Sequence, residues 1–477
     1  MTSTSSAGDT SPKPGRLIEV EAVDLDRDGH GLARWMGWVI VVPDLLPGER
    51  AQVQLQKRQR SRWLSRRISL IRASDGRRRP PCILAADCGG CTLQHLDDAG
   101  QSQWKRTSLS ETMSRLGQIG TDPRPVLSDL QRAVGYRNRA LIPMHRGTDG
   151  RLRLGYFRRG SHRIINLNRC PVLDPRLDAL IQPLKHDLQA TGWPADHDLA
   201  MGGGLRHLGL RVAHHSGELL ITLVSSHDRL PGLKNLADRW MSRWPMLRGV
   251  TLNLQPKRTN LILGIETRLI AGRETIEEQV CSQRLQLSST TFFQVNTPQA
   301  ESILTELRQW FLQTIGLGRV VDAFCGVGTI SLPLAAAGFD VLGIELHDSS
   351  VEQARLNASL NGFEDRCRFL AGDVADLLAA ALPGMDALVL DPPRRGLDKR
   401  VVESILNNPP PLLAYLSCDP ATQARDLKAL LEPRGLYRLR RLQPVDFFPQ
   451  TTHLESLALL ERISCAVQPE IPWREPI

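Results

Sequence analysis

The stretch between Gly318 and Pro420 constrains the fold more than any other part of the chain. "GRVVDAFCGVG" is an apolar run into a glycine turn, "TISLPLAAAG" opens a helix, and "DVLGIEL" is a second apolar run. "DSSVEQARLNASLNG" has helical spacing, with Asp348 or Ser349 as its cap. "DALVLDPPRRG" and "LLAYLSCDP" are further apolar runs, each with polar residues at its C-terminal end. Short continuous apolar runs that alternate with helices read as strands buried on both faces and joined by crossover helices. The prediction is an α/β, doubly wound parallel sheet of Rossmann-like type, starting at about Leu285 with the amphipathic helix "SILTELRQWFLQTI".

In such a sheet the ligand sits beyond the carboxyl ends of the strands. The first turn, Asp322-Ala-Phe-Cys-Gly326-Val-Gly328-Thr329, places two glycines at a helix N-terminus, where backbone can approach a ligand closely. Glu345 ends the next strand, seventeen positions after Gly328, where an acid binds ribose hydroxyls. A dinucleotide fingerprint wants a third Gly or Ala where Ser331 stands. Asp322, ahead of the turn, repels a pyrophosphate but tolerates a sulfonium cation. S-adenosylmethionine therefore fits better than NAD. Asp373 in "FLAGDV" and Asp391 in "LVLDPPRRG" end two more strands, one placed for the adenine edge and the other for the methyl-transfer region. Arg394 and Arg395 follow, suited to phosphate.

Cys418 ends another predicted strand, before a helix starting near Ala421, a setting in which a lowered thiol pKa is expected. "DFFPQTTHLESLALL" leads through Pro449 to His453, Glu455 and a buried strand. Glu455 is a candidate base, with His453 either its orienting partner or a turn-filling residue. A methyl donor, a thiolate and a carboxylate together suit methylation at C5 of uracil. That carbon is a poor nucleophile until a thiolate adds at C6, and a base must afterwards remove the C5 proton. Asp391 would hydrogen-bond the uracil edge. Two other readings stay open on these residues. An N-methyltransferase acting on adenine or guanine would leave Cys418 idle, and an RNA-binding protein without activity would leave both Cys418 and Glu455 idle.

Upstream, "LIEVEAVDLD", "GHGLARWMGWVIVVPDLLPGERAQVQLQK" and "WLSRRISLIRAS" alternate over short spans divided by Asp-Gly, Gly-His-Gly and Pro-Gly turns, which predicts a small β-barrel over 16–75. Its last strands carry Lys57, Arg58, Arg60, Arg62, Arg66, Arg67 and Arg72 around Trp63, a pattern suited to an RNA platform. Residues 1–15 read as a disordered tail, 76–272 as a central α+β domain and 273–477 as the α/β domain. "RLRLGYFRRGSHRIINL" and "GLRVAHHSGELLITLVSS" read as strand pairs of the central domain, and "TLQHLDDAGQSQWKRTSLSETMSRLGQ" as a helix. Arg137, Arg139, Arg158, Arg159 and Arg163 are candidate grips on a nucleic-acid strand.

The net charge of +9, most of it from arginine, suits a polyanionic partner. The N-terminus has no apolar core of a secretory signal, and no apolar run approaches the roughly 18–20 residues of a bilayer span. A cytoplasmic protein without a membrane partner is expected, acting as a monomer. Nine cysteines, an odd number, argue against a disulfide framework in that compartment. "CILAADCGGC" nonetheless gathers Cys82, Cys88 and Cys91, and Cys170 stands in "NLNRCPVLDP". Spacing alone leaves zinc and an iron–sulfur cluster equally open.

With these residues assembled, the chain resembles the RNA uracil-5-methyltransferase family, in particular its iron–sulfur 23S rRNA members. The blocks "TFFQVNTPQAE", "DAFCGVGTISLPLA", "GIEL", "LDPPRRGL", "SCDPATQARDL" and "FPQTTHLES" stand in family order, and the likeness runs from about Leu17 to Cys465. "DGHGLAR" and "VPDLLPGERAQVQ" resemble a TRAM domain, an OB-like RNA-binding barrel. The resemblance implies a methyltransferase that binds S-adenosylmethionine through Gln294, Phe324, Thr329, Glu345, Asp373 and Asp391. It makes Cys418 the nucleophile and Glu455 the proton acceptor, and Cys82, Cys88, Cys91 and Cys170 the ligands of a [4Fe–4S] cluster. Relatives often carry Asn at the position of Thr329 and a Gly in the turn before Leu454. The implied substrate is RNA, 23S rRNA ahead of tRNA, with the target uridine flipped out of its stack.

Overall fold

Residues 11–129, 132–432 and 435–463 are described by a computed structural model. Residues 1–10, most of the expected tail, and 464–477, including Cys465, lie outside the described residues. Gly15, at the end of that expected tail, donates its N–H to Leu55 O (2.8 Å).

The first strand, β1 (Leu17–Leu25), alternates exposed and buried residues almost without a break, the signature of a half-buried strand. It closes a barrel with β2 (Gly31–Trp35), β3 (Trp38–Val42), β4 (Arg50–Gln59) and β5 (Arg62–Arg72), in the order β1-β2-β3-β5-β4. Trp63 is 4% exposed and fills the barrel core with Val20, Val53 and Leu55, so it is no part of an RNA-facing platform. Its place in β5 between exposed Arg62 and Arg66 is a consequence of strand alternation. The aromatics at the surface are Trp35 and Trp38, covered by the guanidinium groups of Arg16 and Arg58 at 5.2 and 4.5 Å.

The cysteine segment leads into α1 (Asp98–Thr112), which Asp97 caps by accepting from Gly100 N–H, and which ends in a π turn at Met113–Gly117. The central domain is a six-stranded sheet with β6 (Arg139–Arg146), β7 (Leu152–Leu154), β8 (Leu205–Val212), β9 (Leu219–Ser225), β10 (Leu247–Leu254) and β11 (Glu266–Gly272) in the order β11-β10-β9-β8-β6-β7. β8 and β9 form the hairpin expected around Ser216-Gly217. The other expected pair shrinks to β7 and an isolated Phe157–Ile164 bridge. The sheet packs on α2 (Pro175–Ala190) and α3 (Leu233–Arg243), with Leu177, Leu184 and Trp240 in the core. A separate hairpin, β12 (Thr275–Val280) and β13 (Gln283–Ser288), follows.

The last domain contains α4 (Thr297–Ile315), β14 (Arg319–Ala323), α5 (Ser331–Ala336), β15 (Asp340–Glu345), α6 (Asp348–Leu360), β16 (Cys367–Ala371), α7 (Val374–Ala381), β17 (Ala387–Leu390), α8 (Lys399–Asn407), β18 (Leu412–Ser417), α9 (Pro420–Leu431), β19 (Tyr437–Val445) and β20 (Glu455–Arg462). The strand order is β16-β15-β14-β17-β18-β20-β19. Adjacent residues separate to opposite faces: Val320 packs with α4, α5 and α6, whereas Val321 packs with α7, α8 and α9. The first five strands in this order are parallel, but β20 runs antiparallel to both β18 and β19. The expectation of a wholly parallel sheet is corrected at this edge. The loop 446–454 is too short for a crossover connection, so β19 and β20 can pair only as a hairpin. The cap of α6 is also corrected: His347 occupies the N-cap without a side-chain bond, and Asp348 lies in the first turn. Leu109 and Met113 of α1 and its π turn pack with Ala424 and Leu427 of α9, which seats the cysteine-bearing segment on the α/β domain. No helix among the described residues is long and apolar enough to cross a membrane.

Candidate active site

The turn after β14 is bent by positive φ at Phe324 (68°), Gly326 (56°) and Gly328 (86°). Glycine adopts this region readily, but for Phe324 it is a strained conformation of the kind held at functional sites. Phe324 and Cys325 N–H donate to Ile344 O (2.9 and 3.0 Å), pinning the turn to β15. Glu345, at the end of β15, accepts from Gly326 N–H (3.2 Å) with one oxygen and from His347 N–H (3.0 Å) with the other. Gln294, Phe324, Thr329 and Asp391 come together around one cavity, with Phe447 and Leu416 in its wall. Glu345 reaches that cavity only through Gly326. Asp373 lies outside the wall and caps α7 by accepting from Ala375 N–H (2.9 Å).

Beneath the turn, Asp322 is fully buried and accepts from Ser331 Oγ (2.5 Å). Its other oxygen has no hydrogen-bond partner among the described residues. Burial raises the Asp322 carboxyl to about 7. Burial, followed by the charge of Asp322, raises Asp391 to about 7 as well.

β18 and β20 pair with Ser417 opposite Ser456, so one step further the register sets Cys418 against Glu455. Glu455 is buried, and its carboxyl is raised to about 8 by desolvation and then by Asp391, against the pull of Arg394. The Cys418 thiol rises to about 11, from burial first and then the charges of Glu455 and Asp391, with Arg394 opposing. The expected lowering at Cys418 is therefore corrected. Two acids face the thiol, and the N-terminus of α9 is already capped by Asp419, whose Oδ1 accepts from Ala421 N–H (2.8 Å) and Thr422 N–H (3.2 Å).

Cys418 opens into a cleft of about 430 Å³. Arg394 and His453, Asp26–Asp28 of the barrel, and Gly89, Thr92 and Lys105 line it. The His453 ring packs on Phe448 (5.7 Å) and makes no hydrogen bond to Glu455, and burial lowers its pKa. The turn-filling role is the one the geometry gives it.

Cys82, Cys88 and Cys91 are half-buried, Cys170 is buried, and none is in a disulfide among the described residues. Burial raises Cys91 to about 11, with added repulsion from Cys88 and Cys82. Burial raises Cys170 to about 12, with repulsion from Cys91 and Cys88. The charges of Cys88 and Cys91 thus reach Cys170, although Cys91 and Cys170 lie 79 residues apart in the sequence. Arg159 donates to the carbonyls of Ala85 (2.9 Å), Cys88 (3.2 Å) and Cys91 (3.0 Å) and pairs with Asp44. Arg139 donates to Ser289 O (2.9 Å) and Thr291 O (3.1 Å). These two arginines organise the protein itself and are removed from the expected nucleic-acid grip.

The family profile described as tRNA (Uracil-5-)-methyltransferase matches residues 131–463. The chain belongs to this family. It is similar to an uncharacterized RNA methyltransferase of Parasynechococcus marenigrum, with 63% identity over 458 residues, covering 96% of this chain and 98% of the relative. A second uncharacterized RNA methyltransferase, from Synechocystis sp., is 40% identical over 457 residues, covering 95% and 98%. Among solved structures, the Pyrococcus abyssi tRNA (uracil-54, C5)-methyltransferase in complex with S-adenosyl-L-homocysteine matches with a TM-score of 0.73 and 25% identity, over 93% of this chain and 100% of that one. This family member is an S-adenosylmethionine-dependent RNA methyltransferase.

Two features of the methyltransferase's cleft had no motif to announce them. Lys105, on α1, reads in sequence as one polar position among several, and the barrel loop Asp26–Asp28 reads only as a turn. Both reach the cleft through long-range packing, which local pattern does not encode. Arg394, set aside in the sequence for phosphate, stands beside Cys418 and offsets the acids there.

Proposed function

We propose that the enzyme methylates C5 of a uridine in 23S rRNA through a covalent adduct on Cys418, with Glu455 as base. The observation that carries this reading is the placement of Asp391. It lines the cavity under the glycine turn, and its charge also reaches both Cys418 and Glu455. S-adenosylmethionine supplies the electrophilic methyl group. Cys418, its proton lost to solvent, bonds through sulfur to C6, and the C5–C6 electron pair moves onto the C4 carbonyl as an enolate. That pair returns through C5 to the methyl carbon as the bond to the sulfonium breaks, leaving a neutral thioether. Glu455 takes the C5 proton, the C–H pair re-forms C5=C6, and the Cys418 thiolate departs. The cleft between barrel, cysteine segment and α/β domain suits a base flipped out of its strand.

Cys82, Cys88, Cys91 and Cys170 fit a [4Fe–4S] cluster better than a single zinc ion. A mononuclear tetrahedral site with bonds near 2.3 Å draws its sulfurs to within about 3.8 Å of one another. Among the described residues only Asp26, Asp28 and His30 place three such ligand atoms within 4.8 Å, and the cysteines do not. A cluster core holds its thiolates further apart. Bound there, it would cross-link the segment after the barrel to the central domain and supply no electrons to methyl transfer. The four-thiol site and the barrel favour rRNA. A tRNA substrate is the second reading, favoured by the family's description.

The test uses RNA containing 5-fluorouridine, whose C5 has no proton to lose. A covalent protein–RNA adduct is expected with the parent and none with Cys418→Ala. Nucleoside analysis of 23S rRNA and tRNA from cells with and without the gene identifies the substrate. An adduct that survives Cys418→Ala would overturn the mechanism, and 5-methyluridine lost from tRNA alone would overturn the rRNA assignment.

A further inference from the structure

The loop 446–454 ends on Glu455, and its middle residue, Gln450, is fully buried with a left-handed backbone (φ 71°). A residue with a Cβ is uncommon there. Were backbone freedom all that the turn needed, glycine would serve. Instead every polar group of Gln450 is engaged. Its N–H donates to Gln101 Oε1 (2.9 Å), and its carbonyl accepts from Thr92 and Leu93 N–H (3.0 Å each). Its side-chain oxygen accepts from Arg78 (2.9 Å) and Gln101 Nε2 (3.1 Å), and its side-chain amide donates to Asp98 Oδ1 (2.9 Å) and Ala133 O (3.2 Å). A buried amide with all its bonds made is a rigid joint.

All but one of those partners lie between Arg78 and Gln101, the segment that carries Cys82, Cys88 and Cys91. Thr92 directly follows Cys91, and its Oγ1 also accepts from Thr452 N–H (3.3 Å). Cys82 N–H donates to the side chain of Gln94 (3.0 Å). The start of the loop is held from the same side. Lys105, fully buried, donates to Asp446 Oδ1 (2.7 Å) and Phe448 O (3.3 Å).

We infer that Gln450 is a positioning residue: it fastens the Glu455 loop to the thiol-bearing segment, so that the order of that segment sets where the base stands. The inference rests on Glu455 being the base. Gln450→Glu keeps the size but turns an acceptor toward Asp98 and the Ala133 carbonyl. Thr92→Val removes only the acceptor for Thr452 and keeps every bond of Gln450.

The test compares two rates in the full-length protein. Adduct formation on 5-fluorouridine RNA reports sulfur addition and methyl transfer alone, because no proton is there to remove. Turnover on uridine RNA also needs the base. Gln450→Glu is expected to keep the first rate within about 2-fold while turnover falls at least about 10-fold; in Thr92→Val, whose residue also lines the cleft, the ratio of turnover to the first rate falls, by less than in Gln450→Glu, and in both methylated adduct accumulates in the steady state. If the two rates fall together, or if turnover is unchanged, the inference is overturned; should Gln450→Glu not fold, Thr92→Val decides by the same criteria. Glu455→Gln, run alongside, separates the two claims. If it accumulates adduct and the other variants do not, the base stands and the coupling falls. If it accumulates none, the base assignment fails and takes the coupling with it.

Discussion

Binding of S-adenosylmethionine should expel protons from this enzyme, and the number follows from the site. Asp322 and Asp391 each titrate at about 7 in the free protein, raised by burial and, at Asp391, by Asp322 as well. At pH 7 each is therefore about half protonated, about one proton in all. A sulfonium cation beside Asp391 favours both carboxylates over their acids. The free protein then binds more protons than the complex, so affinity rises with pH between about 5.5 and 7 and levels off above about 8. Titration calorimetry at pH 7 in buffers of different ionisation enthalpy reads the released protons as a slope. About one is expected with S-adenosylmethionine, rising toward two at pH 6 and falling toward zero at pH 8.5. S-adenosylhomocysteine has the same adenosine but no fixed charge, so it should release distinctly fewer. Asp322→Asn should remove more than half of the release at pH 7, because it takes away the Asp322 proton and also the charge that helps to raise Asp391. Equal slopes for the two ligands, or no slope for either, would show that these carboxyls do not answer the sulfonium and would refute the electrostatic account of the pocket.

The remaining predictions concern single side chains. With Cys418 raised to about 11, its thiolate is about one part in 10⁴ at pH 7, so iodoacetamide labelling of its peptide should accelerate about tenfold per pH unit from 7 to 9; a plateau below pH 8 speaks for a low-pKa thiol. Lys105→Met leaves Asp446 buried without its cation and should cost about 3–5 kcal/mol in denaturant unfolding, most of it regained in Lys105→Met/Asp446→Leu. A Cβ at Gly343 would stand 2.5 Å from the Phe369 ring and 2.8 Å from Cys325 Sγ, directly behind the glycine turn. Gly343→Ala should thus weaken S-adenosylmethionine binding about tenfold or more at unchanged circular dichroism, because the turn must shift to admit the methyl.

Much of the architecture was legible because the signals are local. Short apolar runs such as "RVVDA" and "LLAYLS", bounded by turn residues, read as strands buried on both faces, and their alternation with helices leaves few topologies. The antiparallel edge was not legible from those runs, since β20 is as apolar as its parallel neighbours. Its direction is decided by the length of the loop before it, a property of the connection. Trp63 was misplaced for a related reason. Charges on both sides of it in sequence suggested a surface, but in a strand those neighbours point the other way.

At the site, position and charge parted company. Strand ends singled out Glu345, Asp391 and Cys418 as candidates, because in this fold ligands meet the sheet there, and the structure lines its cavity with Asp391 and its cleft with Cys418. Asp373 also ends a strand, and it caps α7 as well, since a carboxylate one residue before a helix finds the free N–H groups of its first turn. The thiol's pKa was read from two local features, a strand end and a helix N-terminus. Burial of the thiol reverses it first, and three facts outside that window add to it: Asp419 has already filled the helix end, Glu455 arrives from a strand 37 residues away, and Asp391 from another strand still. A protonated thiol in the resting enzyme is chemically coherent with the rest of the pocket. S-adenosylmethionine is an alkylating agent, and a standing thiolate beside it would invite methylation of the enzyme. A thiol raised to about 11 by burial first and by two acids after it becomes more nucleophilic as those acids are offset, which ties part of its activation to filling the pocket with cation.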